Sequence, residues 1–123
     1  MVGEVLSRFE RHGFVVRRAA SVQMTPSDVA EHYPHLEAEP FFPEIVSYMT
    51  SGPSIALIIQ APNAVAAARR IAGATDPIRA EPGTIRGDLA TSVRYNVVHA
   101  ADSESSVRRE MAHFFPGAHV EGE

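Results

Sequence analysis

A chain of 123 residues with 11 Lys+Arg against 15 Asp+Glu, six His and no Cys has the length of one domain and buries a core without disulfides or a structural metal. Its net charge of −4 gives no electrostatic footprint for duplex nucleic acid, and the lack of cysteine excludes disulfide frameworks, Cys-ligated zinc, thiol nucleophiles and iron–sulfur clusters. The longest apolar run, Ile55 to Ile59, is too short to span a bilayer, and the first residues carry no signal-peptide pattern, so a single cytoplasmic domain over 1–123 is expected.

In chain order, Val5, Leu6 and Phe9 recur at helical spacing, and Gly13 marks the stop of that first helix. Phe14 to Val22 reads as a strand with an exposed stretch. Thr25-Pro26 opens a second helix, with a capping hydroxyl, proline at the first helical position and Asp28 in the first turn. It carries Val29 and Tyr33 and ends at Pro34. Phe41-Phe42-Pro43 opens a short helix holding Ile45, Val46 and Met49, and Ser51-Gly52-Pro53 is a turn. Ser54 to Gln60 is almost continuously apolar, the pattern of a central strand buried on both faces. Asn63 is expected to cap a helix that runs to Ala72 and closes at Gly73. From Ala74 to Ala90 no period is visible, and a loop of that length in a small domain usually serves function. Arg94 to His99 alternates as a third strand, and Ser103 caps a last helix with Val107, Met111 and Phe114 along one face.

Several residues offer chemistry. His99 closes a strand just ahead of a helix start, where open α/β sheets place ligands. Glu110 sits in the last helix on a face that looks back at that strand end; its ordinary reading is a solvated charge. Arg69 ends a helix, where a cation also suits the helix dipole. Arg86 lies in the stiff segment Pro82-Gly83-Thr84-Ile85-Arg86-Gly87-Asp88, which either presents a guanidinium to phosphate or pairs internally with Asp88. Phe41 and Phe42, flanked by Pro40 and Pro43, stack a base or fill the core. A histidine, a glutamate and two arginines suit nucleophilic phosphoryl transfer. Neither a P-loop nor a dinucleotide glycine fingerprint occurs.

The strings HYPHLEAEPFFPEIVSYMTSGP, GATDP, EPGTIRGD and NVVHAADS, in this order and spacing from Val2 to about Phe115, resemble the nucleoside diphosphate kinase family. The resemblance implies an α/β (α+β) domain, the ferredoxin-like βαββαβ sandwich, here lacking its first strand. It also implies transfer of the γ-phosphate of a nucleoside triphosphate to a nucleoside diphosphate through a phosphohistidine. By matching position His99 would take the phosphate and Glu110 would orient its ring. Arg69, Thr75 and Arg86 would bind phosphates, and Asn96 a sugar hydroxyl. Tyr33 would lie beside the reacting phosphate, and Phe41 would stack on the base with Ile45 and Val93 completing an apolar clamp. Stacking accepts every base, since each has a π-face. Mg²⁺ would arrive bound through the nucleotide phosphates, with no protein ligand. Asp102 and Ser103 are read as helix-capping residues. The implied partners are nucleoside di- and triphosphates and further copies of the chain, in a tetramer or hexamer, with neither membrane nor specific nucleic acid.

The chain departs from the family pattern at three places. The family opens with a central strand carrying Lys-Pro-Asp, upstream of the segment matching Val2-Gly3-Glu4, and its lysine contacts the transferring phosphate. The 1–123 domain is therefore expected to be N-terminally shortened, and loss of such a charged donor costs about 10²–10³-fold in rate. Ala100 and Ala101 stand where Gly and Ser usually follow the histidine, and Tyr95 where an arginine is frequent. Three readings follow: an active kinase, a degenerate non-catalytic member that binds nucleotide or a partner protein, and a structural subunit that borrows a strand in an oligomer.

Overall fold

Phe9 is the one buried residue of helix α1 (Val2–Arg11), and the chain leaves that helix through Gly13 at φ 87°. The Phe14 N–H returns to the Phe9 carbonyl at 3.1 Å, which closes the helix end and places the two rings edge to face. The computed structural model describes residues 2–74, 79–90 and 97–117. Strand β1 (Val15–Val22) follows, then α2 (Pro26–His32), a 3₁₀ turn over Pro34–Leu36, α3 (Phe42–Met49), β2 (Ser54–Gln60), α4 (Ala64–Ala72), α5 (Ile85–Leu89) and α6 (Glu104–Phe114). The fold is mixed helix and antiparallel sheet.

β1 and β2 pair antiparallel, Val15 opposite Gln60 and Val22 opposite Ser54, with an irregularity between Val16 and Arg18. The skipped Arg17 donates from Nε to Gln60 Oε1 at 2.7 Å, so the bulge redirects a long side chain onto the partner strand. β2 differs from the expected doubly buried strand: its side chains are half-buried and Ile55 is 41% exposed. The apolar run suits a strand with partners on both edges; among the described residues it has one, β1.

The helix starts follow their local chemistry. Thr25 and Asp28 form a reciprocal capping box on α2, with Pro26 in its first turn, and Ser103 Oγ accepts from the Ser106 N–H at the start of α6. Asn63 departs from expectation: it precedes α4 in the left-handed region at φ 53° and makes no side-chain cap. Within 74–90, α5 replaces part of the expected loop, because the Thr84 hydroxyl accepts from the Gly87 N–H and caps it. Of the expected strand Arg94 to His99, residues 94–96 lie outside the described residues and 97–99 are not in a strand.

Two apolar clusters divide the interior. Phe9, Phe14, Ala68, Ile71 and Ile85 form the first, with Val97, Val98 and Ala100 packed against it. Met24, Val29 and Ile45 form the second, joined by Tyr33, Phe41 and Phe114.

Candidate active site

The segment bearing His99 is held by a buried cation. Arg86, on α5, is 5% exposed; its Nη1 donates to the Gly73 carbonyl at 2.9 Å and its Nη2 to the Val98 carbonyl at 2.7 Å. Among the described residues its Nε is a buried donor with no acceptor. Burial, and next the Arg69 charge, push the guanidinium down from its ordinary value, yet arginine remains charged in proteins. A buried cation facing a second one, with a donor to spare, favours an anion between them.

The alternative pairing of Arg86 with Asp88 is not what the fold makes. Asp88 accepts instead from the Gly83 N–H at 2.9 Å and from Arg8 Nη1 at 2.7 Å, and these two bonds, the first above all, hold its carboxyl below the ordinary range. The 81–88 segment is thereby tied to α1 and aims Arg86 inward. Two glycines let it close. A Cβ on Gly73, at φ 92°, would meet Thr84 Oγ1 at 2.5 Å, and one on Gly87 would overlap the Glu81 carbonyl.

Val97, two residues before His99, has φ 74°, a conformation that strains a β-branched residue by about 1–3 kcal/mol. Packing on the first cluster and the Arg86 bond to Val98 hold the strained run in place. Ala100 needs no glycine: among the described non-glycine residues, only Asn63 and Val97 have positive φ.

His99 Nε2 lies 2.8 Å from Glu110 Oε1, with the His99 side chain 36% and the Glu110 side chain 15% exposed. A carboxylate only accepts, so Nε2 carries the ring proton and Nδ1 keeps its lone pair. The bond leaves Nδ1 as the unengaged nitrogen of a half-exposed ring. Glu110 reaches it from α6, two turns beyond the Ser103 cap, and Arg109 Nη2 lies 4.0 Å from its other oxygen.

Tyr33 turns its ring edge on to His99, centroids 5.4 Å apart. Burial pushes its phenol up to about 12, with Arg86 opposing, so it stays a neutral donor. Arg69 donates from Nη1 to the Ala100 carbonyl at 3.3 Å and lines a cleft of about 370 Å³ with Asn63, Val65, Ala66, Asp102 and Glu104. Asp102 accepts from the Ser106 hydroxyl at 2.6 Å, the first cause of its lowered carboxyl pKa. Phe41 is half-buried, and Ile45 beneath it is 6% exposed, inside the second cluster. The fold thus brings Glu110 and Tyr33 to the His99 ring and ties Arg86 and Arg69 to the backbone carbonyls on either side of it, with Phe41 and Ile45 in the second cluster beside Tyr33. Thr75, Val93, Asn96 and the departing Tyr95 lie outside the described residues.

Sequence reasoning missed His32, the last residue of α2. Its ring stacks on Phe114 at 4.7 Å and 19°, meets His113 edge-on at 5.3 Å, and lies 6.0 Å from the His99 ring. Burial lowers its pKa, the nearby Glu110 charge opposing. His113 bridges α6 to α2, with Nε2 3.1 Å from Asp28 Oδ1 and Nδ1 3.5 Å from Glu31 Oε2. The sequence shows the three histidines, at 32, 99 and 113, but nothing local to any of them signals that they meet.

An α+β domain with an antiparallel pair, flanking helices and a histidine–carboxylate couple beside two arginines is the scaffold these residues define. Its overall shape matches the crystal structure of nucleoside diphosphate kinase from Encephalitozoon cuniculi, cubic form, apo, with a TM-score of 0.88 and 31% identity over 94% of this chain and 78% of that one. The fold is accordingly ferredoxin-like. The family model described as Nucleoside diphosphate kinase matches residues 1–120. Among curated relatives, the nucleoside diphosphate kinase of Mycobacterium leprae is 44% identical over 95% of this chain and 87% of its own length. That of Picrophilus torridus is 44% identical over 94% and 83%. The chain belongs to the nucleoside diphosphate kinase family, and so to the phosphotransferases. No helix among the described residues is long and apolar enough to cross a membrane.

Proposed function

We propose that the 1–123 domain is a nucleoside diphosphate kinase working through a phosphohistidine at His99. One observation carries this reading: Glu110 occupies the Nε2 side of the His99 ring, which leaves the Nδ1 lone pair for attack. In the first half-reaction Nδ1 attacks the γ-phosphorus, the bond to the β–γ bridging oxygen breaks, and the nucleoside diphosphate leaves with that electron pair. In the second, a terminal oxygen of an acceptor diphosphate attacks the phosphorus and the N–P bond breaks. Glu110 stabilises the imidazolium character that develops in between.

The substrates are nucleoside di- and triphosphates, entering with Mg²⁺ on their phosphate oxygens. Arg69 and Arg86 receive the phosphates, and the orphan Nε of Arg86 supports that role. Tyr33 offers its neutral hydroxyl nearby, while Phe41, backed by Ile45, gives the base an apolar face. Thr75, Val93 and Asn96 are assigned to phosphate, base and sugar by family position. The chain works as a homo-oligomer, tetramer or hexamer, in the cytoplasm; the exposed Val15 and Ile55 on the sheet are apolar surface for such contacts.

The decisive experiment incubates the protein with γ-labelled ATP. An acid-labile, base-stable phosphoenzyme is expected, and it should vanish in His99→Ala. Label persisting in that variant would refute the assignment.

A further inference from the structure

His32, His99 and Glu110 each present a donor atom within 4.8 Å of the other two. They come from three places in the fold: the end of α2, the segment before α6, and α6 itself. Two imidazoles and one carboxylate make the donor set of open zinc sites, and imidazole selects ions of the zinc class over the oxygen-seeking Mg²⁺.

One pair of these donors stands close to ligand spacing. His99 Nε2 and Glu110 Oε1 are 2.8 Å apart, close to the ~3.3 Å that separates two ligands on a tetrahedral ion with bonds of about 2.0 Å. The His32 ring is held by its stack on Phe114 and its edge contact with His113. Among the described residues neither of its ring nitrogens has a hydrogen-bond partner. The second set of possible ligands, Asp28, Glu31 and His113, offers one imidazole against two carboxylates, and its Asp28 also closes the α2 capping box. Asp28 uses one oxygen on the Thr25 N–H and the other on His113, and Glu31 is 58% exposed.

We propose that His32, His99 and Glu110 bind a divalent ion of the zinc class, and that this ion switches the nucleophile off. An ion on His99 Nε2 takes the place of the ring proton there, and a neutral imidazole then carries its proton on Nδ1. The proton lost from Nε2 is regained at Nδ1, so none is released overall. The lone pair that would attack phosphorus is gone. Binding stands on the donor set alone; the switching rests on the reading of His99 as nucleophile.

The test titrates the nucleotide-free full chain with Zn²⁺ by calorimetry, and with Co²⁺ by visible absorption. One ion per chain is expected, with the absorption of low-coordinate cobalt. His32→Phe keeps the stacking ring without its nitrogens, and His32→Gln serves if that variant folds poorly. Each, like Glu110→Gln, should weaken binding more than about tenfold, the low end of what loss of even a supporting partner does. Glu31→Gln should bind as the parent does. Nitrogen NMR of His99 should show the ring proton moving from Nε2 to Nδ1 as zinc fills the site. Absence of saturable 1:1 binding, undiminished binding in the His32 variants, or loss of binding in Glu31→Gln overturns the site; an unmoved tautomer overturns the switch. If zinc binds and moves the proton while ATP never labels His99, the ion site stands and the kinase mechanism falls.

Discussion

Arg86 Nη2 donates to the Val98 carbonyl, 2.7 Å away, so the cation expected to grip phosphate also fixes the backbone one residue before His99. Arg86→Lys keeps the charge but has no fork to span both the Gly73 and Val98 carbonyls. One buried acceptor is left unpaired, so stability should fall by about 1–3 kcal/mol, with a lower kcat as well as a higher KM. Denaturant unfolding and steady-state rates check this. An unchanged midpoint together with unchanged rates would sink the clamp.

Glu110→Gln removes the negative charge and offers both a donor and an acceptor to Nε2, so the ring is no longer held in one tautomer. A charge-assisted hydrogen bond contributes about 1.5–3 kcal/mol, which corresponds to phosphoenzyme formation slower by roughly 10- to 100-fold. Rapid-quench labelling measures it. Full-rate labelling would reduce Glu110 to a surface charge.

Phe41→Ala should weaken purine and pyrimidine nucleotides alike, by about 1–3 kcal/mol. Because Phe41 also packs on the second cluster, a fall in melting temperature should accompany it. Equilibrium binding of paired nucleotides decides. An effect confined to one base, or to stability alone, would assign the ring to the core.

Gly87→Ala places a methyl against the Glu81 carbonyl and within 2.8 Å of Thr84 Oγ1. Backbone has nowhere to yield, so α5 should shift and stability drop by about 1–3 kcal/mol. Limited proteolysis within 79–90 should rise in parallel. A variant as stable as its parent would mean that the segment is looser than its hydrogen bonds imply.

Acid should weaken the fold through its paired aspartates. Asp28, held down first by the Thr25 N–H, Asp88 by the Gly83 N–H, and Asp102 by the Ser106 hydroxyl all have folded values below the ordinary carboxyl range. Their contribution is fully present above the unfolded value of about 3.9 and is lost as pH falls through the lower folded values. Urea midpoints should therefore decline below about pH 4, less steeply in Asp28→Asn. Parallel declines in the two proteins would exclude Asp28 from this effect.

The parts of this structure legible in the sequence are those fixed by neighbours. Thr25, Pro26 and Asp28 announce α2 because a capping box closes within four residues, and Gly13 and Ser103 mark their helix ends in the same way. Helix α5 escaped because Gly87 lies inside it and its cap is a single threonine. Long-range partners were illegible. Asp88 is two residues from Arg86, yet it pairs with Arg8, 80 positions away, and the clamp on Val98 needs the chain to fold before it exists. At the site, the family resemblance points to His99, Glu110 and Arg86, whereas the residues alone leave Glu110 as a solvated charge. His32 was not legible, since only the meeting of α2 with α6 brings it to His99.

The two apolar clusters bear on how the site is held together. His99 follows Val98 and precedes Ala100, both seated on the first cluster, whereas Glu110 rides on α6, whose Phe114 is seated on the second with Phe41 and Tyr33. The 2.8 Å bond between them therefore joins the two clusters, through Val98 and Ala100 on one side and Phe114 on the other. Packing in the second cluster thus bears at once on the imidazole–carboxylate bond and on the seat of the Phe41 ring.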